Sequence, residues 1–462
     1  MLRNLVKSFI LLASAVLASC QEDMIVSVDP TVTIAPIKPM NAANNGPVKA
    51  NMDSYTALQI PYARTHDAAL TEVYVAKHCV DISAVFPDWD AKVDDPASYD
   101  FVNTDVLIAN MLKSGAKPFY RLGQSIEHGT KKYGIYPPKD YMKWARICEH
   151  IIRHYNEGWA DGFHYDIEYW EIWNEPNLDP DDSKHKRCWG GTAKQFYELF
   201  RITLEHLKEK FPHLKIGGPS CACILGEAWI YELFQSLGEV KPDFFSWHIY
   251  AKDVEWVREV IHRVQGYLKK SNLTKTESIL NEWNYVRGWT GDDWIYSLKT
   301  EKNLKGSAFI ASTMLMSQYE PLDMLMYYDA RPCGMNGMFK TDMVCEKLKG
   351  YYPFYMFNQL YKLDHAVKVE RDDINVYVAG AVGDEQNVML SYFNDDDNLG
   401  DKEVKVEFKN VANDGKVKLE YYVLDENHDC ELVREEIFTS TEFSAYIKLP
   451  IYTTMLLKIV KA

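Results

Sequence analysis

Residues 169–178 read YWEIWNEPNL. The first five are aromatic or β-branched around a single carboxylate, which is the composition of a buried strand. Pro176 cannot donate to a sheet ladder, so it helps to end the strand and fix the turn. Glu175 therefore stands at a strand terminus, between an amide and a proline. A charge at such a place is either the point where water begins or one half of a pair. Which it is depends on what the surrounding chain folds into, and on whether a second carboxylate comes to face it.

Outward from this stretch the chain alternates. Short β-rich runs recur at YARTH (62–66), KPFYRLG (117–123), LKIGG (214–218), DFFSWHIY (243–250), SILNEW (278–283) and DMLMYY (323–328). Between them lie segments with apolar residues at i, i+3, i+4 spacing, such as KWARICEHIIRHYNEG (143–158), KQFYELFRITLEHLKEKF (194–211) and VEWVREVIHRVQGYLKK (254–270). Strands alternating with helices imply a parallel sheet. With 169–173 and a first strand near Lys38–Ala43 the runs number eight, and no GxGxxG turn follows the first of them. The expectation is an α/β fold, a (β/α)8 TIM barrel rather than an open doubly wound sheet.

Past residue 361 the pattern changes. INVYVAGAV (374–382), NVMLSYF (387–393), EVKVEF (403–408), KLEYYVL (418–424), AYIKL (445–449) and TTMLLKIV (453–460) alternate with period two between Asp, Asn and Gly turns. This predicts a C-terminal β-sandwich over 362–462 beside a barrel over 38–361. Residues 21–37 are read as a tether with a possible strand at Thr31–Ile34 that joins the sandwich. At the start of the chain, Arg3 and Lys7 precede the apolar stretch FILLASAVLAS (9–19) and Cys20. That stretch is about half of the ~20 residues of a membrane span, so residues 1–20 read as a signal peptide. LASC followed by Gln21 resembles a bacterial lipobox, which implies lipidation of Cys20. The expected location is the bacterial cell envelope, lipid-anchored in the outer membrane or at the cell surface, or facing the periplasm, with acyl chains adding ~0.8 kcal/mol per buried CH₂.

A formal net charge of −15 repels polyanions, and no basic run with interleaved aromatics offsets it, so nucleic acid is not an expected partner. Thirty Tyr and twelve Trp supply flat amphipathic rings suited to core packing and to the apolar faces of sugars. Eight cysteines besides Cys20 show neither paired CxxC motifs nor zinc spacing with His. Neither a metal nor a cofactor is expected.

In a TIM barrel the active site lies at the C-terminal ends of the strands. The polar residues there are Arg64 and His66, Gln124 and Glu127, Asn174 and Glu175, His248 and Tyr250, Glu282, and Tyr328 with Asp329 and Arg331. Two of them, Glu175 after the fourth strand and Glu282 on the seventh, are carboxylates that barrel closure would bring together. Two carboxylates flanking a sugar are the minimum equipment of glycoside hydrolysis. Glu168 and Glu171, earlier on the fourth strand, are expected inside the barrel in structural roles.

WEIWNEPN resembles the acid/base motif of clan A glycoside hydrolases, and ILNEWN their nucleophile strand. More specifically YARTH, PPKDYMKWARICEHIIRHY, EIWNEPNL, LKIGGPS and DFFSWHIYA are similar, in order and spacing, to glycoside hydrolase family 39, the family of β-xylosidases and α-L-iduronidases. The resemblance covers about residues 38–361. It implies Glu175 as general acid/base and Glu282 as nucleophile of a retaining enzyme, with Arg64 and Tyr250 beside the nucleophile and Asn174 at the sugar 2-hydroxyl. His66, His248 and Tyr328 are the remaining implied substrate-binding residues. Two departures stand out. Family 39 commonly has His-Gly where this chain has His66-Asp67, and a tryptophan near the end of the eighth strand where it has Tyr328. Arg331 could meet a uronate carboxylate or bridge to Asp329; Asp67 and Asp329 would repel an acidic sugar, which favours a neutral one. The reading is a β-xylosidase-like enzyme acting on oligo- or polysaccharide. The alternatives are a same-clan glycosidase for a galactoside, arabinoside, glucoside or uronide, or a surface lipoprotein that binds glycans without cleaving them.

Overall fold

The computed structural model describes residues 24–68, 77–371, 373–412 and 415–462. The predicted lipobox and Cys20 lie outside them. Eight parallel strands close into a barrel: Ala42–Asn44, Tyr62–Thr65, Lys117–Leu122, Tyr169–Ile172, Lys215–Cys221, Phe244–Ala251, Glu277–Tyr285 and Met324–Tyr327. Each strand pairs with the next in sequence, and the eighth pairs with the first. The first strand begins later than Lys38 because Lys38–Met40 is a turn, closed by Met40 N–H to the Lys38 carbonyl. Long amphipathic helices return the chain. Tyr141–Glu157 starts at Asp140, whose carboxylate caps the Lys143 amide, and stops at Gly158 with φ +73°. Ala193–Lys210 opens with a Thr192/Gln195 capping box.

The barrel interior is layered. At the N-terminal end Ala42, Phe119, Tyr169, Phe244, Ile279, Met324 and Met326 form a dry plug, with the Phe119 and Tyr169 rings stacked 5.2 Å apart. Two residues further along each strand the inward positions turn polar: Asn44, Arg64, Glu171, Ser246 and Asn281 are all fully buried. Period two places these side chains on the same inner face as the plug.

The remaining strands make one nine-stranded sheet, antiparallel except where Met24–Pro36 runs parallel to Lys402–Phe408. The Met24–Pro36 strand lies between His365–Arg371 and Lys402–Phe408, so the possible strand at Thr31–Ile34 does join this sheet and extends back through most of the segment read as a tether. The two outer strands curl toward each other, with Phe438 and Phe443 stacked at 4.0 Å and Arg434 donating to the Tyr446 carbonyl. This encloses a separate core of Val26, Val378, Leu390, Val406, Leu419 and Leu457. On Val376–Val382 the alternate residues Tyr377, Ala379 and Ala381 belong instead to the barrel's core, so this strand is covered on both faces. Two strands escaped the sequence reading, His365–Arg371 and Asp429–Phe438. The second is exposed along most of its length and lacks the alternation that reveals a half-buried strand. The loop after Phe393 ties the sheet to the barrel. Asp395 accepts from Tyr285 Oη at 2.6 Å and pairs with Lys252 at 3.1 Å and buried Lys305 at 3.0 Å.

Candidate active site

Arg64, on the second strand, organises the site from below. Its guanidinium is wholly buried and every nitrogen is used. Nε donates to Glu171 at 2.7 Å, Nη1 to Asn44 at 3.0 Å and Glu282 at 3.3 Å, and Nη2 to Asn174 at 2.7 Å and Ser220 at 2.9 Å. Glu171 also accepts from Ser246 and Asn281, at 2.6 and 2.5 Å. This buried carboxylate accepts three hydrogen bonds and is the counter-ion of Arg64.

Local departures from regular strand geometry aim the groups above this layer. The pairing of the sixth and seventh strands slips between Trp247/Leu280 and His248/Glu282. A bulge inserted there lets both Asn281 and Glu282 turn inward, where strict alternation would admit only one. At the end of the fourth strand Trp173 and Glu175 have φ of +77° and +51°, and on the fifth Ser220 has +61°. Side chains disfavour that region, and residues held in it concentrate at functional sites.

The result brings Glu175 and Glu282 together, with carboxylate oxygens of both, and a ring nitrogen of His248, within 4.8 Å of one another. Glu282 accepts from Tyr250 Oη at 2.6 Å in addition to Arg64. Glu175 lies 2.9 Å from His248 Nδ1, and Cys188 Sγ donates to its other oxygen at 3.6 Å. His66 Nε2 is 3.7 Å from Glu282. Tyr328 donates its hydroxyl to Asp67, and its ring centroid is 6.4 Å from that of Tyr250. Arg331 bridges to Asp329 at 3.1 Å through Nη2 and donates through Nη1 to the Asp67 carbonyl, so both terminal nitrogens already have protein partners. Gln124 and Glu127 bond instead to Asp81 and to the main chain of Tyr133 and Gly134, away from the pair. Sequence reasoning missed Asn44, Ser220, Asn281 and Cys188. They lie in strands or loops without a charge to mark them, and only closure of the barrel gives them neighbours.

Burial pushes Glu175 up to about 7, with Arg64 pulling against it. Burial pushes Glu282 up to about 7 as well, although His248, Arg64 and the Tyr250 hydroxyl oppose the rise. Two such carboxyls this close share a single proton near neutrality. Arg64 and Tyr250 both contact Glu282 and neither contacts Glu175, so the anion belongs on Glu282 and the proton on Glu175. Burial lowers His248 to about 4, which makes it neutral. Its tautomer follows from the network. Ser220 Oγ accepts from Arg64, and its own proton has two acceptors in reach, His248 Nε2 at 2.7 Å and Asn281 Oδ1 at 3.2 Å; the shorter contact takes it. Nδ1 then carries the ring hydrogen and donates to Glu175 Oε1, which leaves Oε2 to hold the acid proton.

Residues 26–284 match the family model described as glycosyl hydrolases family 39, a span that includes both glutamates. The chain is a member of glycosyl hydrolases family 39. A "Beta-xylosidase" of Caldicellulosiruptor saccharolyticus is 32% identical over 169 residues, 34% of this chain and 32% of that protein. Another, of Geobacillus stearothermophilus, is 27% identical over 202 residues, 41% of this chain and 37% of that protein. The family 39 chain thus spans about a third of the length of these relatives. Two crystal structures share its fold. A glucosidase from Croceicoccus marinus has TM-score 0.77 at 19% identity, over 95% of this chain and 99% of that one. A monomeric beta-xylosidase from Caulobacter crescentus CB15 has TM-score 0.69 at 16% identity, again over 95% and 99%.

Glu175, His248 and Glu282 could in principle ligate a cation. However, His248 Nδ1 already meets Glu175 at 2.9 Å and Nε2 meets Ser220 at 2.7 Å, so both ring nitrogens are engaged. The arrangement suits proton and glycosyl transfer.

Proposed function

We propose that this family 39 member is a retaining glycoside hydrolase with Glu282 as nucleophile and Glu175 as general acid/base, acting first on β-xyloside-type substrates. The observation that carries the reading is the separation of the two carboxylates. Oxygens within 4.8 Å fit the spacing of about 5–5.5 Å of a retaining pair and leave no room for the water that an inverting pair holds between groups about 6.5–9.5 Å apart.

The steps follow from the charge assignment. Glu282 attacks the anomeric carbon as Glu175 passes its proton to the glycosidic oxygen. The carbon–oxygen bond to the leaving group breaks, and a glycosyl ester forms on Glu282. Glu175, now anionic, takes a proton from water, whose oxygen attacks the same carbon and releases Glu282. The first step quenches the charge on Glu282, and Arg64 and Tyr250 stabilise it again as it leaves in the second. Among the described residues Asn174 Nδ2 has no hydrogen-bond partner, and it would donate to the sugar 2-hydroxyl as positive charge develops on the ring. The xyloside preference is supported by the names of the two curated relatives and by Arg331 being occupied.

The test is chemical rescue with activated aryl xylosides. Glu282→Ala should form no glycosyl-enzyme and regain turnover with azide. Glu175→Ala should keep its first step on substrates with good leaving groups and lose it on poor ones. Unchanged activity of Glu282→Ala, or equal loss by Glu175→Ala on all substrates, would overturn the assignment.

A further inference from the structure

Asp67, in the loop after the second strand, is a buried carboxylate that bond cleavage does not use. It is 1% exposed. Oδ2 accepts from the Tyr328 hydroxyl, and the main-chain carbonyl accepts from Arg331 Nη1. Among the described residues Oδ1 has no hydrogen bond, although His66 Nε2 and His78 Nδ1 lie near it at 3.5 and 3.6 Å. Burial works against its anion, but His66, Arg331, His78 and the Tyr328 hydroxyl together hold the carboxyl well below the usual range. An ionised, buried oxygen without a donor needs an explanation.

Its surroundings supply one. His66 Nε2 stands between Asp67 Oδ1 and Glu282 Oε2, at 3.5 and 3.7 Å. Burial keeps His66 neutral. With its hydrogen on Nε2, facing the two carboxylates, Nδ1 is a bare acceptor, and it too has no partner. Asn174 Nδ2 is the third buried polar atom here without one. Among the described residues, side chains around the nucleophile thus carry two unfilled acceptors and one unfilled donor. A sugar hydroxyl both donates and accepts, and a set of them completes all three. A uronate would bring a second anion into a pocket that already holds the ionised Asp67, and Arg331 already donates to the Asp67 carbonyl and pairs with Asp329.

We propose that Asp67 is a specificity-determining residue, accepting through Oδ1 a hydrogen bond from a ring hydroxyl of the sugar held between Glu175 and Glu282, which selects neutral sugars and rejects uronates. This rests on the glycosidase reading above. It assigns a role to a residue at which family 39 commonly carries glycine.

The experiment compares the aryl glycoside that the wild type cleaves best with its monodeoxy analogues, each missing one hydroxyl, and with the matching aryl uronide. Wild type, Asp67→Ala and Asp67→Asn are assayed in parallel with melting temperatures. Hydrogen bonds to a charged group predict that Asp67→Ala lowers kcat/KM on the parent sugar ~10- to 100-fold. On one deoxy analogue it should change kcat/KM by less than about twofold, because that contact is already gone. The preference for neutral sugar over uronide should fall in both variants. An equal loss on the parent and on every deoxy analogue would make Asp67 a mere support for Tyr328, and no loss would remove it from the pocket; either overturns the proposal. If Asp67→Ala fails to fold, the near-isosteric Asp67→Asn carries the same comparison. Absence of wild-type turnover would overturn the glycosidase reading itself, whereas wild-type turnover with parallel losses overturns the role of Asp67 alone.

Discussion

Tyr250→Phe deletes one oxygen, the one that donates to Glu282 at 2.6 Å. That distance lies in the range of a charge-assisted O–H···O⁻ bond. Such bonds contribute about 1.5–3 kcal/mol, and the lower half of that range applies because Arg64 continues to donate at 3.3 Å. The active form needs Glu282 ionised and Glu175 protonated. Loss of the donor destabilises the Glu282 anion, so the first deprotonation of the pair moves to higher pH. With ~1.4 kcal/mol per pKa unit, the acid limb of kcat/KM should move up by about one unit. The loss of activity should be greatest below pH 7, because burial pushes both carboxyls up to about 7 and the pair takes up its second proton on the acid side of that value. The same donor stabilises Glu282 as it leaves in the second step, so glycosyl-enzyme should accumulate and give a burst of aryl alcohol. The assay is a pH profile of aryl glycoside hydrolysis between about pH 4 and pH 9. An acid limb that stays within ~0.3 unit of the wild type, or moves to lower pH, would refute the claim that Tyr250 sets the charge on the nucleophile.

Glu175→Gln should be inactive on poor leaving groups yet more stable at pH 8. Burial makes the folded protein hold this proton up to about 7, against ~4.3 for an unperturbed Glu, so stability falls as pH rises through that window and the penalty is complete above it. Removing it should raise Tm by about 1 °C per kcal/mol relieved, with the difference vanishing near pH 4; differential scanning calorimetry across pH decides. Asp395→Ala should lower Tm and also reduce kcat. Its carboxylate ties buried Lys305 to Lys252 and Tyr285, which lie two and three residues past Tyr250 and Glu282, and losing it should cost about 2–3 kcal/mol in denaturant unfolding. Cys20→Ala should move the protein from the membrane fraction to the soluble fraction of the producing cell, since the expected lipid anchor needs that thiol; unchanged fractionation would remove the anchor.

Much of this was legible in the residues alone. Seven strand runs, the helices between them and the period-two tail determined a barrel beside a β-domain, because 3.6- and 2-residue periodicities are local properties of the chain. Pro176 marked the end of the strand that carries Glu175, and the ordered motifs pointed to Glu282. The sequence was silent wherever function depends on departures from those periods. The bulge that turns both Asn281 and Glu282 inward, and the left-handed backbone at Glu175 and Ser220, follow no pattern in residue type. Only closure of the barrel decided that Arg64 touches Glu171, Asn44, Asn174, Ser220 and Glu282 at once, across separations of up to 218 residues. Pattern along a chain reports which side of a strand is dry. Charge, protonation and tautomer are set by burial and by neighbours from other strands, and those exist only once the strands have met.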